Sequence, residues 1–243
     1  MCSNCRSNLA RSSAPTRRNL LLGAAATGLF WASAARAKGT KAPPKPENVV
    51  SPDASLERLV EGNQRYVEGI ARRHDFRHQR EALVGGQNPY AAILSCADSR
   101  IAPEYAFDSG RGDLFVCRVA GNFATEETVA SLEYAVAVLA VPLILVLGHD
   151  ACGAVEAAIK SLGDGKPLPG HMPSLVTGLA PSVKAVAGQP GDTLDNAILQ
   201  NVKDTVAKLK AATPILSAAV EQHRIRIVGG IYRLKNGKVD MVA

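Results

Sequence analysis

Cys96, Asp98 and Arg100 stand at alternate positions in the stretch Ser95-Cys96-Ala97-Asp98-Ser99-Arg100. His149 and Cys152 lie in a second stretch, Gly148-His149-Asp150-Ala151-Cys152-Gly153. Two thiolates and an imidazole are zinc ligands, and a catalytic zinc keeps its fourth position open to water or substrate. A carboxylate beside that position can accept a hydrogen bond from the water and aim its lone pair. An arginine two residues on can pair with the carboxylate, keep it ionised and draw it off the metal. The pattern predicts one Zn2+ per subunit held by Cys96, His149 and Cys152, with Asp98 and Arg100 as a working pair.

Ligands this far apart in the chain must be brought together by the fold. Cys96 follows the apolar run Ala91-Ala92-Ile93-Leu94, and His149 follows Leu143-Ile144-Leu145-Val146-Leu147. Short apolar runs of this kind form buried parallel strands, and ligands gather at the carboxyl ends of such strands. If the two strands are neighbours, the three ligands converge. Cys152 is expected in the first turn of a helix running to about Leu162, where the helix dipole favours a thiolate.

The remaining pattern alternates. Leu56, Leu59, Val60 and Val67 predict a helix from Ser55. Pro103 opens a helical turn, and 114–118 reads as a strand. A helix over about 125–140 precedes the strand at 143–147. Glu133 and Pro142 argue against a membrane span in this apolar region. Helices are expected over 173–187, from Leu194 to Leu209 and after Pro214. A strand at 225–232 leads through the hairpin-type turn Asn236-Gly237 into a short strand at 238–242. This order implies an α/β fold with a mostly parallel central β-sheet flanked by helices, and an N-terminal helical arm.

The two motifs resemble those of the β-class carbonic anhydrases, Cys-x-Asp-x-Arg followed about fifty residues later by His-x-x-Cys. Here Cys96 and His149 are 53 positions apart. The resemblance runs from about Ser55 to the C-terminus and includes Glu61 to Tyr66, Leu114-Phe115-Val116, Arg118 to Asn122 and Ser131 to Ala135. It implies reversible hydration of CO2 to bicarbonate and a proton through a zinc-bound hydroxide, in a homodimer or homotetramer. It also implies that Gln87 lines the substrate pocket, often across the subunit boundary. Gly153 is expected to allow close approach of the backbone to the metal site. A carbonyl sulfide or carbon disulfide hydrolase of the same fold is an alternative, as is a silent zinc- or bicarbonate-binding module. One subtype of the class has a bicarbonate site that uses a tryptophan, an arginine and a tyrosine. Ile93 stands in the place of that tryptophan here and has no N–H to donate, and Arg118 falls where the arginine lies, so no such site is expected.

The ligand charges set a further expectation. Two thiolates and a neutral imidazole cancel the charge of Zn2+, so bound water is less acidified than at a three-histidine site. The carbonic anhydrases with a zinc-water pKa of about 7 are that unrelated three-histidine type. Asp98 is therefore expected to assist.

The chain has 243 residues, 47% of them hydrophobic, enough for one domain with a sizeable core. Its net charge of +6 is concentrated in residues 1–37, where Arg6, Arg11, Arg17, Arg18 and Arg36 face no acid. The rest shows no basic patch that would argue for nucleic acid. Thr16-Arg17-Arg18-Asn19-Leu20-Leu21 resembles a twin-arginine motif. An apolar run from Leu20 to Ala35 and the small-x-small site Ala35-Arg36-Ala37 complete a signal peptide. The run is short for a membrane span. Residues 1–37 are thus expected to be a signal, 38–54 a linker or arm, and 55–243 the catalytic domain of a periplasmic or secreted protein without a stable membrane span. Cys2 and Cys5 fall in the leader, and Cys117 reads as a small buried hydrophobe, so no disulfide framework is implied. Asp150 is expected to be a helix cap, and His74, His78, His171 and His223 to lie on the surface.

Overall fold

Five strands and eight helices are described by a computed structural model covering residues 50–243. The leader and most of the linker lie outside the described residues. In chain order the elements are α1 (Pro52–Glu68), α2 (Phe76–Ala82), β1 (Ala91–Ser95), α3 (Pro103–Ala106), β2 (Leu114–Arg118), α4 (Glu126–Ala137), β3 (Leu143–His149), α5 (Gly153–Asp164), α6 (Pro173–Ala185), α7 (Thr193–Lys210), α8 (Ile215–Glu221), β4 (Arg226–Tyr232) and β5 (Val239–Met241).

The sheet order is β2-β1-β3-β4-β5; β1 pairs in parallel with both β2 and β3, and only β5 is antiparallel. β1 and β3 are buried along their whole length, as expected for strands covered on both faces. Alternate residues serve alternate layers. Ala92, Leu94, Ile144 and Val146 join a core with α4, α5, α6, α7 and α8. Ala91, Ile93, Leu143, Leu145 and Leu147 join a second core with α1 and α3. Each fully buried leucine contributes on the order of 2 kcal/mol.

The arm is fastened by polar contacts. Ser51 caps α1 by accepting the Ala54 N–H, Pro52 opens it, and Gly69 closes it in the left-handed conformation. Gly62 is required sterically, because a Cβ there would lie 2.1 Å from the Phe107 carbonyl oxygen. Asn63 donates to the Ala106 and Gly237 carbonyls and accepts from the Val239 N–H, tying α1 to α3 and to the β4–β5 turn. Arg65 donates to the buried Asp108 at 2.6 Å.

Several boundaries differ from expectation. α2 was not foreseen; Asp75 caps it through the Arg77 and His78 N–H groups. α5 runs through Gly163 to Asp164 and stops at Gly165, whose φ is 65°. α4 ends at Ala137, short of 140. Among the described residues, no helix is long and apolar enough to cross a membrane.

Candidate metal centre

From β1 the chain passes to one side to form β2, then returns past β1 to form β3 on the other side. In open α/β sheets that reversal opens a crevice at the carboxyl ends of the two strands. Ser95 is in register with Leu147, so the residues following β1 and those closing β3 emerge side by side. Cys96 follows β1, His149 is the last residue of β3, and Cys152 is the N-cap of α5.

The three ligand atoms all lie within 4.8 Å of one another, and all three residues are buried. The Cys96 and Cys152 sulfurs are 3.9 Å apart and both cysteines are free. Two Zn–S bonds of about 2.3 Å at a tetrahedral angle place their sulfurs roughly 3.8 Å apart. The His149 ring is held by a 2.8 Å bond between Nδ1 and the Asp150 carbonyl. A carbonyl can only accept, so Nδ1 carries the proton and Nε2 presents a lone pair. Nε2 is buried with no hydrogen-bond partner. An unpartnered lone pair facing two thiols fits a zinc ion.

The hydrogen bond from Cys152 holds the Cys96 thiol well below the ordinary thiol range against its burial. The hydrogen bond with Cys96 and burial push Cys152 up, opposed by the backbone N–H groups of Val155 and Ala154. A metal held between the two sulfurs would displace their protons. Burial disfavours charge on His149, while the charge of the nearby Cys96 raises its pKa. The Gly121 N–H donates to Cys96 Sγ at 3.3 Å.

Asp98 lies at the rim. Its Oδ2 is 3.9 Å from His149 Nε2. Arg100 meets it with two parallel bonds, Nε to Oδ1 at 2.9 Å and Nη2 to Oδ2 at 2.7 Å, and its backbone N–H adds a third at 2.9 Å. The Arg100 guanidinium holds the carboxyl well below the usual carboxylate range. Arg100 Nη2 also donates to the Ala151 carbonyl at 3.2 Å, touching the turn before Cys152.

Other expected residues fall elsewhere. Gln87 lines a separate cleft with Arg80, Val84, Arg111 and Tyr134, which none of the three ligands borders. Within one chain it is not brought to the cluster. A Cβ at Gly153 would meet nothing within 4 Å, so no protein atom demands glycine there. Cys152 occupies the N-cap of α5, outside its first turn. Asp150 is not a helix cap: its carboxylate accepts the Leu234 N–H at 2.9 Å, 84 residues away. His74 is half-buried against Asp108, while His78, His171 and His223 are exposed.

Two supporting residues were not anticipated. Asn201 donates to the Gly121 carbonyl at 2.7 Å and so fixes the turn that faces Cys96. A buried asparagine on the apolar face of α7 was its sequence signal. Arg118 donates to carbonyls of the segment carrying Cys96 and Asp98.

The carbonic anhydrase family model matches residues 91–239. Carbonic anhydrase 2 of Mycobacterium tuberculosis is 41% identical over 190 residues, covering 77% of this chain and 91% of that protein. The carbonic anhydrase of Mycolicibacterium smegmatis is 37% identical over 192 residues, covering 79% and 93%. Among solved structures, the β-carbonic anhydrase CcaA matches with a TM-score of 0.62 at 28% identity, covering 78% of this chain and 92% of that one. The Coccomyxa β-carbonic anhydrase in complex with acetazolamide matches at 0.60 and 26% identity, covering 77% and 86%.

Proposed function

The chain belongs to the carbonic anhydrase family, in its β class, and from that premise we infer the role each site residue plays. It is a zinc-dependent carbonate dehydratase that interconverts CO2 with bicarbonate and a proton. The observation that carries this reading is the buried Cys96–His149–Cys152 cluster, with its 3.9 Å sulfur separation and unpartnered Nε2.

Cys96, His149 and Cys152 hold the zinc. Bound there, it supplies a Lewis acid that lowers the pKa of water and yields a nucleophile near neutral pH. The Asp150 carbonyl keeps the His149 proton on Nδ1, so Nε2 stays a ligand. Asp98 accepts a hydrogen bond from the attacking water and directs its lone pair toward CO2. Arg100 keeps Asp98 ionised and turned to the rim. The paired bonds from Arg100 keep Asp98 a hydrogen-bond acceptor in the neutral range.

Stopped-flow assays of the zinc-loaded chain test this reading. CO2 hydration is expected. Hydrolysis of carbonyl sulfide or carbon disulfide without CO2 hydration would replace it with the alternative hydrolase.

Gln87 is assigned to the substrate pocket of a second subunit, which requires at least a homodimer. Its cleft is flanked by the exposed side chains of Val84 and Tyr134, with Val138 exposed one turn along from Tyr134, apolar surface suited to a partner. Light scattering at micromolar concentration should give a dimer or tetramer; a monomer would overturn the Gln87 assignment. Gly153 is kept as a point where the backbone approaches the metal site, a reading supported by its place next to Cys152.

Residues 1–37 are assigned as a signal for twin-arginine export and cleavage after Ala37, which places the catalytic domain in the periplasm or outside the cell. The support is the motif around Arg17 and Arg18. Replacing both with lysine should retain the protein in the cytoplasm. Unchanged export would point to the general secretory route.

A further inference from the structure

Arg118 is the last residue of β2 and lies in register with Ser95, the residue before Cys96. Its guanidinium grips three main-chain carbonyls. Nε donates to Cys96 O at 3.0 Å, and Nη2 donates to Asp98 O at 2.7 Å and to Ile101 O at 3.0 Å. Each is a charge-assisted bond, roughly twice as strong as a neutral one. The backbone bonds of this segment are longer. Ala97 N–H reaches Val119 O at 3.2 Å, and Ile101 N–H reaches Asp98 O at 3.2 Å within the segment itself.

We propose that Arg118 is a positioning residue, which clamps the 96–101 segment so that the Asp98 carboxylate stays beside the Cys96–His149–Cys152 cluster. The proposal rests on the role given to Asp98 above. Arg100 cannot do this work alone. It sits two residues from Asp98 on the same segment, so a loosened segment would carry most of the pair with it. Outside the segment it donates to the Ala151 carbonyl at 3.2 Å. Arg118 belongs to a strand and ties the segment to the sheet. It reaches the main chain on both sides of Asp98 without touching a ligand atom. The same commitment takes its donors away from any anion.

The test uses the zinc-loaded chain as Arg118→Ala, Asp98→Ala and the double variant. Arg118→Ala should retain zinc, lose about 10- to 100-fold in kcat, the usual range for an outer-shell partner, and leave KM within about twofold. Amide hydrogen exchange should quicken at Ala97 and Ile101 while β3 and α7 keep their protection. The double variant should lose no more than Asp98→Ala alone, because both changes act through one group. Multiplying losses would overturn the proposal, as would a fully active Arg118→Ala beside an impaired Asp98→Ala. A fully active Asp98→Ala would instead remove the role of Asp98 and the proposal with it. If Arg118→Ala loses zinc, Arg118→Gln, which keeps one donor group, decides the matter. Local exchange faster at Ala97 and Ile101 supports the clamp, and unchanged exchange overturns it.

Discussion

Cys96→Ala and Cys152→Ala should each purify with almost no zinc and almost no CO2 hydration. Each removes one of three ligand atoms that lie within 4.8 Å of one another. Loss of an outer-shell partner alone costs about 10- to 100-fold in metal affinity, and loss of a direct ligand must exceed that. The fold should survive, because Cys96 and Cys152 are small members of a core that rests mainly on leucines, isoleucines and valines. Cys117→Ala is the control. Cys117 lies on β2 outside the cluster, and burial pushes its thiol up, so it makes a poor thiolate. Elemental analysis beside stopped-flow hydration gives the answer, and a Cys152→Ala protein with full zinc would contradict the assignment.

Asp98→Ala should give the opposite pattern, with zinc kept and turnover lost by about 100-fold or more, the scale of losing one preorganised hydrogen-bonding group at the reacting centre. The ligands and their supports remain: the Asp150 carbonyl still holds His149, and the Gly121 N–H still faces Cys96. What disappears is the acceptor 3.9 Å from His149 Nε2. Asp98→Asn separates shape from charge. It keeps the size of the side chain but weakens the paired Arg100 bonds, so it should also be slow. Wild-type turnover in Asp98→Ala, with zinc content matched, would reduce the pair to a structural ion pair.

The cluster was legible in the sequence because Cys96 and His149 each follow a short apolar run of the kind that forms a covered strand, and Cys152 lies three residues beyond His149. Cys96 after Ala91–Leu94 and His149 after Leu143–Leu147 had to emerge at strand ends. The adjacency of β1 and β3 was conditional, because sheet order is set by tertiary packing. Local pattern misled at Asp150. An aspartate just before a helix looks like a cap, yet α5 starts three residues later and the carboxylate turns to Leu234. α2 was invisible because its seven residues bury nothing and carry no apolar period. Asn201 could have been found as a polar residue on a buried helical face. The grip of Arg118 could not, since carbonyls carry no sequence signature and three of them must converge in space. Gln87 shows a different limit: it lines a cleft that none of the three ligands borders, so its proposed place in the substrate pocket depends on a second subunit.

The central claim is that one zinc is held by two sulfurs and one nitrogen with a fourth position free for water. X-ray absorption at the zinc edge on the purified holoenzyme tests it most directly. The expected spectrum shows two sulfurs at about 2.3 Å and one nitrogen with one further light atom at about 2.0–2.1 Å. A shell of nitrogen and oxygen alone would contradict the assignment of Cys96 and Cys152.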